Sequence, residues 1–496
     1  MACRVGTTRG EKQVSQWRPS AVLILVGLIA LTGPWVSGLS PVSVAWADDG
    51  DGDGDGDDGD DGDDGGGGSG AGRIGVGETS FRDYRRNLRS LFNLQVPRRT
   101  QRASPAPRAA PRPTEAEREI IARGLSDDDA AALVAQGYGI LERVDLASLG
   151  LTMQRLLVPE NTSLQEARAA VQALPTGEVA DFNHYYRAGG DMASDAVGTE
   201  SVAEPCEGLH CPARGLINWP DHIGPGGCGV PVTIGMIDTG INTDHAALAG
   251  AQVALLRVAP EDYSASDAIH GTAVAALLVG DPASRAPGLL PGLPLVAVDA
   301  FHKASGDERA DAFTLVRGLD HLVEAGATVI NLSLTGPANA VLEQTLAELE
   351  SAEGIVVVAA AGNGGPNAPP AYPAAYDSVI AVTAVDRAGG PYRRAGRGPH
   401  VHLAAPGVEV WTAASVKGAR WKTGTSFAAP YVTAAVALWQ QTHPGSSPAE
   451  IRAALAQSAV DLGEAGTDDI FGHGLLNLEN SCPNPARVGI IPVLAD

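Results

Sequence analysis

The sequence predicts an α/β fold with a doubly wound, mostly parallel sheet and helices on both faces. Between residues 214 and 480, apolar runs rich in Val, Ile and Ala alternate with helical stretches such as "DAFTLVRGLDHLVEAG". Strands that are apolar along their whole length are typical of a parallel sheet that is covered on both faces. A chain of 496 residues also exceeds what one hydrophobic core usually organises, so we expect more than one folded region.

Residues 1–47 are interpreted as a Sec-type signal peptide. Basic residues precede an apolar run from Ala21 to Leu31, and Ala45-Trp46-Ala47 offers a cleavage site. The run is shorter than an ordinary membrane span, which disfavours the alternative of an uncleaved anchor. We therefore expect a secreted or periplasmic protein without stable membrane insertion after signal cleavage.

Two polar segments follow. Residues 48–72 are an Asp/Gly-rich tract that carries much of the formal net charge of -23 and has nothing apolar to bury, so it is predicted to be disordered. Some of its aspartates have EF-hand spacing, but no flanking helices are visible, and a solvated tail is favoured over a calcium loop. Residues 73–117 form an Arg/Pro-rich linker, and nothing in them indicates a nucleic-acid partner.

Residues 118–190 are predicted to form a small α+β, ferredoxin-like domain. Strand-like and helix-like stretches alternate with short connections, in the order "REIIARG", "SDDDAAALVAQG", "QRLLVP", "SLQEARAAVQAL" and "EVADFNHYY". Ser126 precedes the first helical stretch and is a candidate N-cap.

The larger domain, residues 214–480, follows a linker at 191–213 and precedes a C-terminal tail at 481–496. Its predicted strands are "VTIGMID", "LVAVDAF", "TVINLSL", "IVVVAAAG" and "VIAVTAVD". In open parallel sheets, functional groups gather at the carboxyl ends of the strands.

The cysteines agree with export. Cys3 leaves with the signal peptide, and four cysteines remain, which permit three pairings. We favour Cys206–Cys211 and Cys228–Cys482, the latter fastening the C-terminal tail. A zinc site is the alternative, but the paired C-x-x-C spacing is missing.

Three candidate catalytic residues lie at element ends. Asp238 ends the strand "VTIGMID", His270 begins the helical stretch "HGTAVAALLVG", and Ser426 begins the helix of "GTSFAAPYVTAAVALWQQ". An alcohol is a weak nucleophile near neutral pH, so a histidine that takes its proton and an aspartate that orients the histidine complete an acyl-transfer set. Pro430 is expected in the first helical turn, where a missing N–H costs little.

These motifs resemble those of the subtilisin-like (subtilase) serine peptidases. "IDTGIN", "HGTAVAALLVG" and "GTSFAAP" occur in the order Asp, His, Ser that distinguishes this family, and "VINLSLTGP" and "VVVAAAGNGGP" fit as well. The resemblance implies that Asn363 donates its side-chain amide to the oxyanion. It also implies that 118–190 is a propeptide whose "FNHYYR" end binds the cleft and which is removed by self-cleavage between about 187 and 213.

The resemblance also implies a substrate groove. Its walls would include Ser333, Leu334, Thr335 and Gly336 on one side and Ala361 and Gly362 on the other. Thr335 departs from the usual glycine, and "GDERAD" replaces a typically Gly-rich edge with charges, which leaves cleavage preference open. Pro373 matches a position where the family keeps a cis proline. The family's familiar calcium site lacks its acidic residue here, so no metal and no other cofactor is expected.

The sequence thus predicts a secreted serine endopeptidase, synthesised as a self-processing zymogen and acting as a monomer on protein or peptide substrates. Its own propeptide would be an intramolecular inhibitor. Two alternatives stay open. One is a protease restricted to itself or one partner, and the other is an inactive subtilase that serves as a binding module.

Overall fold

The computed structural model describes residues 111–189, 208–220, 223, 226–414, 416–479 and 481–482. The predicted signal peptide, the Asp/Gly-rich tract and most of the predicted Arg/Pro-rich linker lie outside these residues. Within the described part of the chain, no helix combines the length and the apolar character needed to cross a bilayer.

Residues 115–189, here called the N-terminal unit, contain four strands and two helices: β1 (Glu115–Arg123), α1 (Asp127–Ala135), β2 (Gly139–Leu146), β3 (Leu151–Leu157), α2 (Leu164–Gln172) and β4 (Ala180–Ala188). The strands lie in the order β2-β3-β1-β4 and pair antiparallel, which is a ferredoxin-like βαββαβ arrangement. β1 begins three residues before the predicted boundary at 118. The predicted N-cap is confirmed, since the Ser126 hydroxyl accepts a hydrogen bond from the Asp129 N–H at 3.1 Å.

The remaining described residues, 208–482, form the α/β domain. Its strands are β5 (Thr233–Asp238), β6 (Val253–Arg257), β7 (Ser264–Ala265), β8 (Leu295–Asp299), β9 (His302–Ala304), β10 (Asp307–Asp311), β11 (Ala327–Leu332), β12 (Leu334–Thr335), β13 (Val356–Ala360), β14 (Val379–Val385), β15 (Val401–Pro406), β16 (Val410–Ala413) and β17 (Ala419–Lys422). Its helices are α3 (Cys211–Leu216), α4 (His270–Val279), α5 (Ala312–Glu324), α6 (Ala340–Ser351), α7 (Thr425–Thr442) and α8 (Pro448–Ser458).

Seven of these strands form one parallel sheet in the order β15-β14-β13-β11-β5-β8-β6. All five apolar runs singled out in the sequence lie in it. One face packs against α4, α7 and α8, and the other packs against α5 and α6. The predicted doubly wound sheet with helices on both faces is therefore confirmed.

The N-terminal unit buries both faces of its own sheet. Ile120 packs with Leu133 of α1 and Val171 of α2, whereas the next residue, Ile121, belongs to the core that α5 and α6 share with the parallel sheet. Neighbouring residues of a strand point to opposite faces, so β1 contributes to both cores.

Two further predictions are confirmed and one boundary changes. Cys228 and Cys482 form a disulfide across a sequence separation of 254, and the peptide bond between Tyr372 and Pro373 is cis. Cys206, a member of the other predicted pair, lies outside the described residues. Helix α3 begins at Cys211, inside the range predicted as the 191–213 linker.

Candidate active site

Strand β5 and helix α4 bring an aspartate and a histidine together. β5 ends at Asp238, α4 begins at His270, and Asp238 Oδ1 lies 2.7 Å from His270 Nδ1. The two residues are buried, with 1% and 5% of their surface exposed. A carboxylate in this position holds the imidazole in one orientation and one tautomer.

The glycine after the histidine is required by a close approach. A Cβ atom at Gly271 would lie 2.4 Å from the carbonyl oxygen of Thr239, which is closer than real contacts permit. The Gly271 N–H donates to Thr239 Oγ1 at 2.9 Å. Glycine therefore lets the first turn of α4 lie against the loop that follows Asp238.

Ser426 lies in the first turn of α7 and is 1% exposed. Its Oγ donates to the carbonyl oxygen of Ser333 at 3.3 Å. The ring of the adjacent Phe427 lies 5.5 Å from the His270 ring, measured between centroids, so the start of α7 is beside the imidazole. The three predicted catalytic residues thus come from three element ends at one edge of the sheet.

Pro430 lies deeper in α7 than predicted. The helix begins at Thr425, so Pro430 is in the second turn, where an N–H would ordinarily bond to the carbonyl of Ser426. Ser333 Oγ donates to that carbonyl instead, at 2.9 Å. The prediction of a first-turn proline is therefore wrong, and the carbonyl that the proline leaves unpaired is satisfied by the connection between β11 and β12.

Asn363 is held by its carbonyl oxygen. Asn363 Oδ1 accepts from the Thr425 N–H at 3.0 Å and from Thr425 Oγ1 at 3.1 Å. Because both donors fix the oxygen, the amide nitrogen Nδ2 is directed away from them. A Cβ atom placed on Gly189 would lie 2.8 Å from this Nδ2.

Strand β4 of the N-terminal unit lies between two strands of the α/β domain. It pairs antiparallel with β10, where Tyr186 is opposite Ala310, and with β12, where Ala188 is opposite Leu334 and Arg187 is opposite Thr335. Two of the predicted groove residues, Leu334 and Thr335, therefore pair with the C-terminal end of β4. A polypeptide bound in this way gains main-chain hydrogen bonds on both sides.

The end of β4 reaches the candidate nucleophile. A Cβ atom on Gly189 would lie 2.1 Å from Ser426 Oγ, so Gly189 is in direct contact with the hydroxyl. Tyr186 is fully buried, and its hydroxyl donates to the carbonyl of Pro337 at 2.9 Å. A Cβ atom on Gly336 would lie 2.5 Å from the Tyr186 ring, which explains why glycine occupies that predicted groove position.

The predicted groove leaves little space between Gly362 on one wall and Thr335 on the other. A Cβ atom on Gly362 would lie 3.5 Å from Thr335 Cγ2 and 3.0 Å from Ala371 Cβ. Ala361 is buried, and its N–H donates to the Val382 carbonyl at 2.9 Å, which fastens this wall to β14. Thr335 therefore fills space that a glycine at this position would leave open.

Asp299 is a buried carboxylate that the sequence analysis did not single out. It ends β8 beside Asp238, is 5% exposed, and accepts hydrogen bonds from Arg257, Ser266 and the Phe301 N–H. Burial raises the pKa of Asp299, although its partners act in the opposite direction. The sequence did offer one signal for this residue, because Asp299 lies near the end of the predicted strand "LVAVDAF", just as Asp238 ends "VTIGMID".

A doubly wound parallel sheet with an acid, an imidazole and a hydroxyl at its element ends is the layout of a subtilisin-like hydrolase. The model of the subtilase family, peptidase S8, matches residues 229–474. Subtilisin DY of Bacillus licheniformis is 35% identical over 258 residues, which cover 51% of this chain and 90% of that protein. The chain belongs to the subtilase family, and it is a serine-type endopeptidase whose substrates are proteins or peptides.

Two further similarities differ in extent. The minor extracellular protease Epr of Bacillus subtilis (strain 168) is 30% identical over 264 residues, which cover 52% of this chain and 39% of that protein. The crystal structure of fervidolysin from Fervidobacterium pennivorans, a keratinolytic enzyme related to subtilisin, has a TM-score of 0.61 at 20% identity. That likeness covers 77% of this chain and 62% of fervidolysin and concerns the fold alone.

Proposed function

We propose that this protein is a secreted serine endopeptidase in which Ser426 is the nucleophile, His270 the general base and Asp238 the residue that orients His270. His270 takes the Ser426 proton as Oγ bonds to the peptide carbonyl carbon, and then gives that proton to the leaving amine. A water molecule hydrolyses the acyl-enzyme by the same route in reverse. The 2.7 Å contact between Asp238 and His270 supports this assignment.

The oxyanion would be stabilised by two donors. Asn363 Nδ2 is available because Thr425 occupies Oδ1, and the Ser426 N–H lies in the first turn of α7. Donors that are fixed before charge develops stabilise the transition state without reorganising.

The N-terminal unit would be the propeptide of a zymogen. The observation that supports this most strongly is the contact of Gly189 with Ser426 Oγ at the end of a strand paired on both sides. The bond after Gly189 would then be the first substrate, and the mature chain would begin at Gly190. Most of the predicted cleavage range, 187–213, lies outside the described residues.

The same pairing explains how the cleaved unit would inhibit. Once the bond after Gly189 is broken, the β4 backbone and the buried Tyr186 keep their contacts with the groove. The product would therefore stay bound and exclude other substrates until it dissociates or is degraded.

Export is supported by one observation and by one prediction from the sequence. The Cys228–Cys482 disulfide suits an oxidising compartment, and the predicted signal peptide precedes the folded domains.

The nucleophile is tested by labelling with a fluorophosphonate probe. We expect wild type to carry one adduct on Ser426, Ser426→Ala to carry none, and Ser458→Ala, which alters a serine at the end of α8, to label like wild type. An equal amount of adduct in Ser426→Ala would contradict the assignment. A peptide library then separates a general endopeptidase from one restricted to itself, since the restricted enzyme would process its own chain and leave the library intact.

A further inference from the structure

The hairpin β9–β10 holds a buried carboxylate beside the strand that occupies the groove. β9 and β10 are joined by Ser305 and Gly306, whose φ angles are 52° and 78°, as in a tight hairpin turn with two positive φ angles. Asp307 follows this turn and is 7% exposed. Its backbone pairs with Ala304 of β9, whereas β10 pairs with β4 only at Ala310 and Asp311, so the hairpin positions Asp307.

Arg187 of β4 binds this carboxylate through both of its oxygens. Arg187 Nε lies 2.8 Å from Asp307 Oδ1, and Arg187 Nη2 lies 2.6 Å from Asp307 Oδ2. The fork of a guanidinium matches a carboxylate in this way, whereas an ammonium or a neutral amide does not. The Arg187 side chain is 21% exposed and that of Asp307 is 10% exposed, so the pair is shielded from water.

Other cations near Asp307 are less well placed. Arg309 Nη1 lies 3.3 Å from Asp307 Oδ2 while its guanidinium stacks on the Tyr185 ring, and Arg112, 69% exposed, approaches to 3.8 Å. Burial acts to raise the pKa of Asp307, but the hydrogen bond and charge of Arg187, with the charges of Arg309 and Arg112, outweigh it and lower the pKa. Without β4, Asp307 would keep only Arg309 of these three partners, whose geometry is poorer, and the place of Arg187 would be open to an arginine of a substrate.

We propose that Asp307 is a specificity-determining residue that selects arginine two positions before the residue whose carbonyl is attacked. Gly189 contacts Ser426, so Arg187 occupies that position in the chain's own strand. The preferred substrates are then peptides with arginine followed by two small residues at the cleavage site. This inference rests on the proposed function, because it treats β4 as a bound substrate.

Wild-type enzyme provides the first test without any mutation. Self-processed enzyme is given quenched fluorescent peptides built on Tyr-X-Ala-Gly-Gly-Asp, where X is arginine, citrulline or glutamate. Citrulline has nearly the shape of arginine but no charge. Charge-assisted, bidentate pairing with a carboxylate is stronger than a neutral hydrogen bond to it, so we expect kcat/KM to favour arginine over citrulline by about 10- to 100-fold. Equal rates would overturn the proposal.

Two variants locate the preference. In Asp307→Asn the arginine-to-citrulline ratio should fall to about 1, and in Asp307→Lys the glutamate peptide should become the best of the three. Asp267→Asn is the matched control, because Asp267 is a half-exposed carboxylate that pairs with Lys303 on the same hairpin. If Asp307→Asn keeps the ratio, or Asp267→Asn loses it, Asp307 is not the selecting residue.

The outcomes distinguish the role of Asp307 from the proposed function. Cleavage of all three peptides at equal rates would overturn only the role of Asp307. No cleavage of any peptide, together with no fluorophosphonate adduct on Ser426, would overturn the proposed function itself.

Discussion

The N-terminal unit and the α/β domain bury their apolar residues in different ways. The α/β domain has a core on each face of a seven-stranded sheet. The N-terminal unit has one small core of its own, and its other sheet face buries Ile121, Met153 and Tyr186 in a core of the larger domain. The smaller unit therefore buries one face of its sheet only by docking, as expected of the proposed propeptide.

Polar side chains of each region also bond to the backbone of the other region. Asp181 of the N-terminal unit accepts from the Ala340 N–H at the start of α6 at 2.9 Å. In the reverse direction, Asp320 of α5 accepts from the N–H groups of Ser148 and Leu149 at 2.9 and 3.0 Å. Each region thus satisfies backbone donors of the other, and undocking would return these groups to water.

Removing the Tyr186 ring should have the largest effect on docking. An aromatic-to-alanine change in a core costs about 3 to 5 kcal/mol. In the Ser426→Ala chain, which the proposed mechanism leaves uncleaved, Tyr186→Ala should speed amide exchange across Ala180–Ala188 by about 100-fold or more, as measured by mass spectrometry. Leu141→Ala, at a position 44% exposed on β2, is the control and should leave that exchange unchanged. Unaltered exchange in Tyr186→Ala would mean that β4 is not anchored by its ring.

Removing the disulfide should affect the larger domain. Replacing Cys228 and Cys482 by serine removes a cross-link between residues 254 apart, and such cross-links contribute about 2 to 4 kcal/mol. Calorimetry of the Ser426→Ala chain should show a lower unfolding temperature. Amide exchange of β4 at 25 °C should stay the same. Faster exchange confined to β4 would contradict this division of the molecule.

Acid should weaken docking by a smaller amount. His184 of β4 is buried, its Nδ1 accepts from Asn339 Nδ2 at 3.0 Å, and burial lowers its pKa, while Asp181 and Glu115 act to raise it and Arg168 to lower it. Because the undocked histidine has the ordinary pKa of about 6.5, docking is strongest above that pH. The equilibrium constant for docking decreases as the pH falls from there towards the pKa of the docked histidine, by at most about tenfold per pH unit.

Glutamine at position 184 tests this pH dependence, because it is neutral and keeps an acceptor. In the Ser426→Ala chain, the exchange of β4 amides, corrected for the intrinsic effect of pH, should rise between pH 7.5 and 5.5. The His184→Gln chain should show a much smaller rise. The same rise in both chains would assign the effect to another group.

A partly exposed ion pair should contribute least. Arg317 of α5 lies 2.9 Å from Glu142 of β2, and the two side chains are 27% and 31% exposed. Pairs of this kind are worth about 0.2 to 1 kcal/mol and are screened by salt. Arg317→Ala should therefore change β4 exchange by less than about fivefold, and not at all in 0.5 M salt. A larger effect that persists in salt would show that Arg317 acts through packing.

The sequence predicts the sheet and the ferredoxin-like unit because each leaves a local pattern. Four cysteines permit three pairings, so the sequence alone did not choose the Cys228–Cys482 pair that the structure contains. The sequence does not predict the partners of Arg187 or Asp299, since each is joined to residues far away in the chain.

Pro430 was misjudged because it lies beyond the first turn whether the helix is counted from the predicted Ser426 or from Thr425. The sequence also does not show that Asn363 accepts from the Thr425 N–H at the start of α7. Periodicity indicates that a helix exists but not which distant side chain satisfies its ends.

The central claim is that the end of β4 is the first substrate of Ser426. Mass analysis of the N-termini of purified wild type and Ser426→Ala tests it most directly. We expect wild type to yield a chain that begins at Gly190, with the N-terminal unit ending at Gly189, and Ser426→Ala to retain the bond between them. Identical processed ends in both proteins, or a wild-type end elsewhere, would contradict the account.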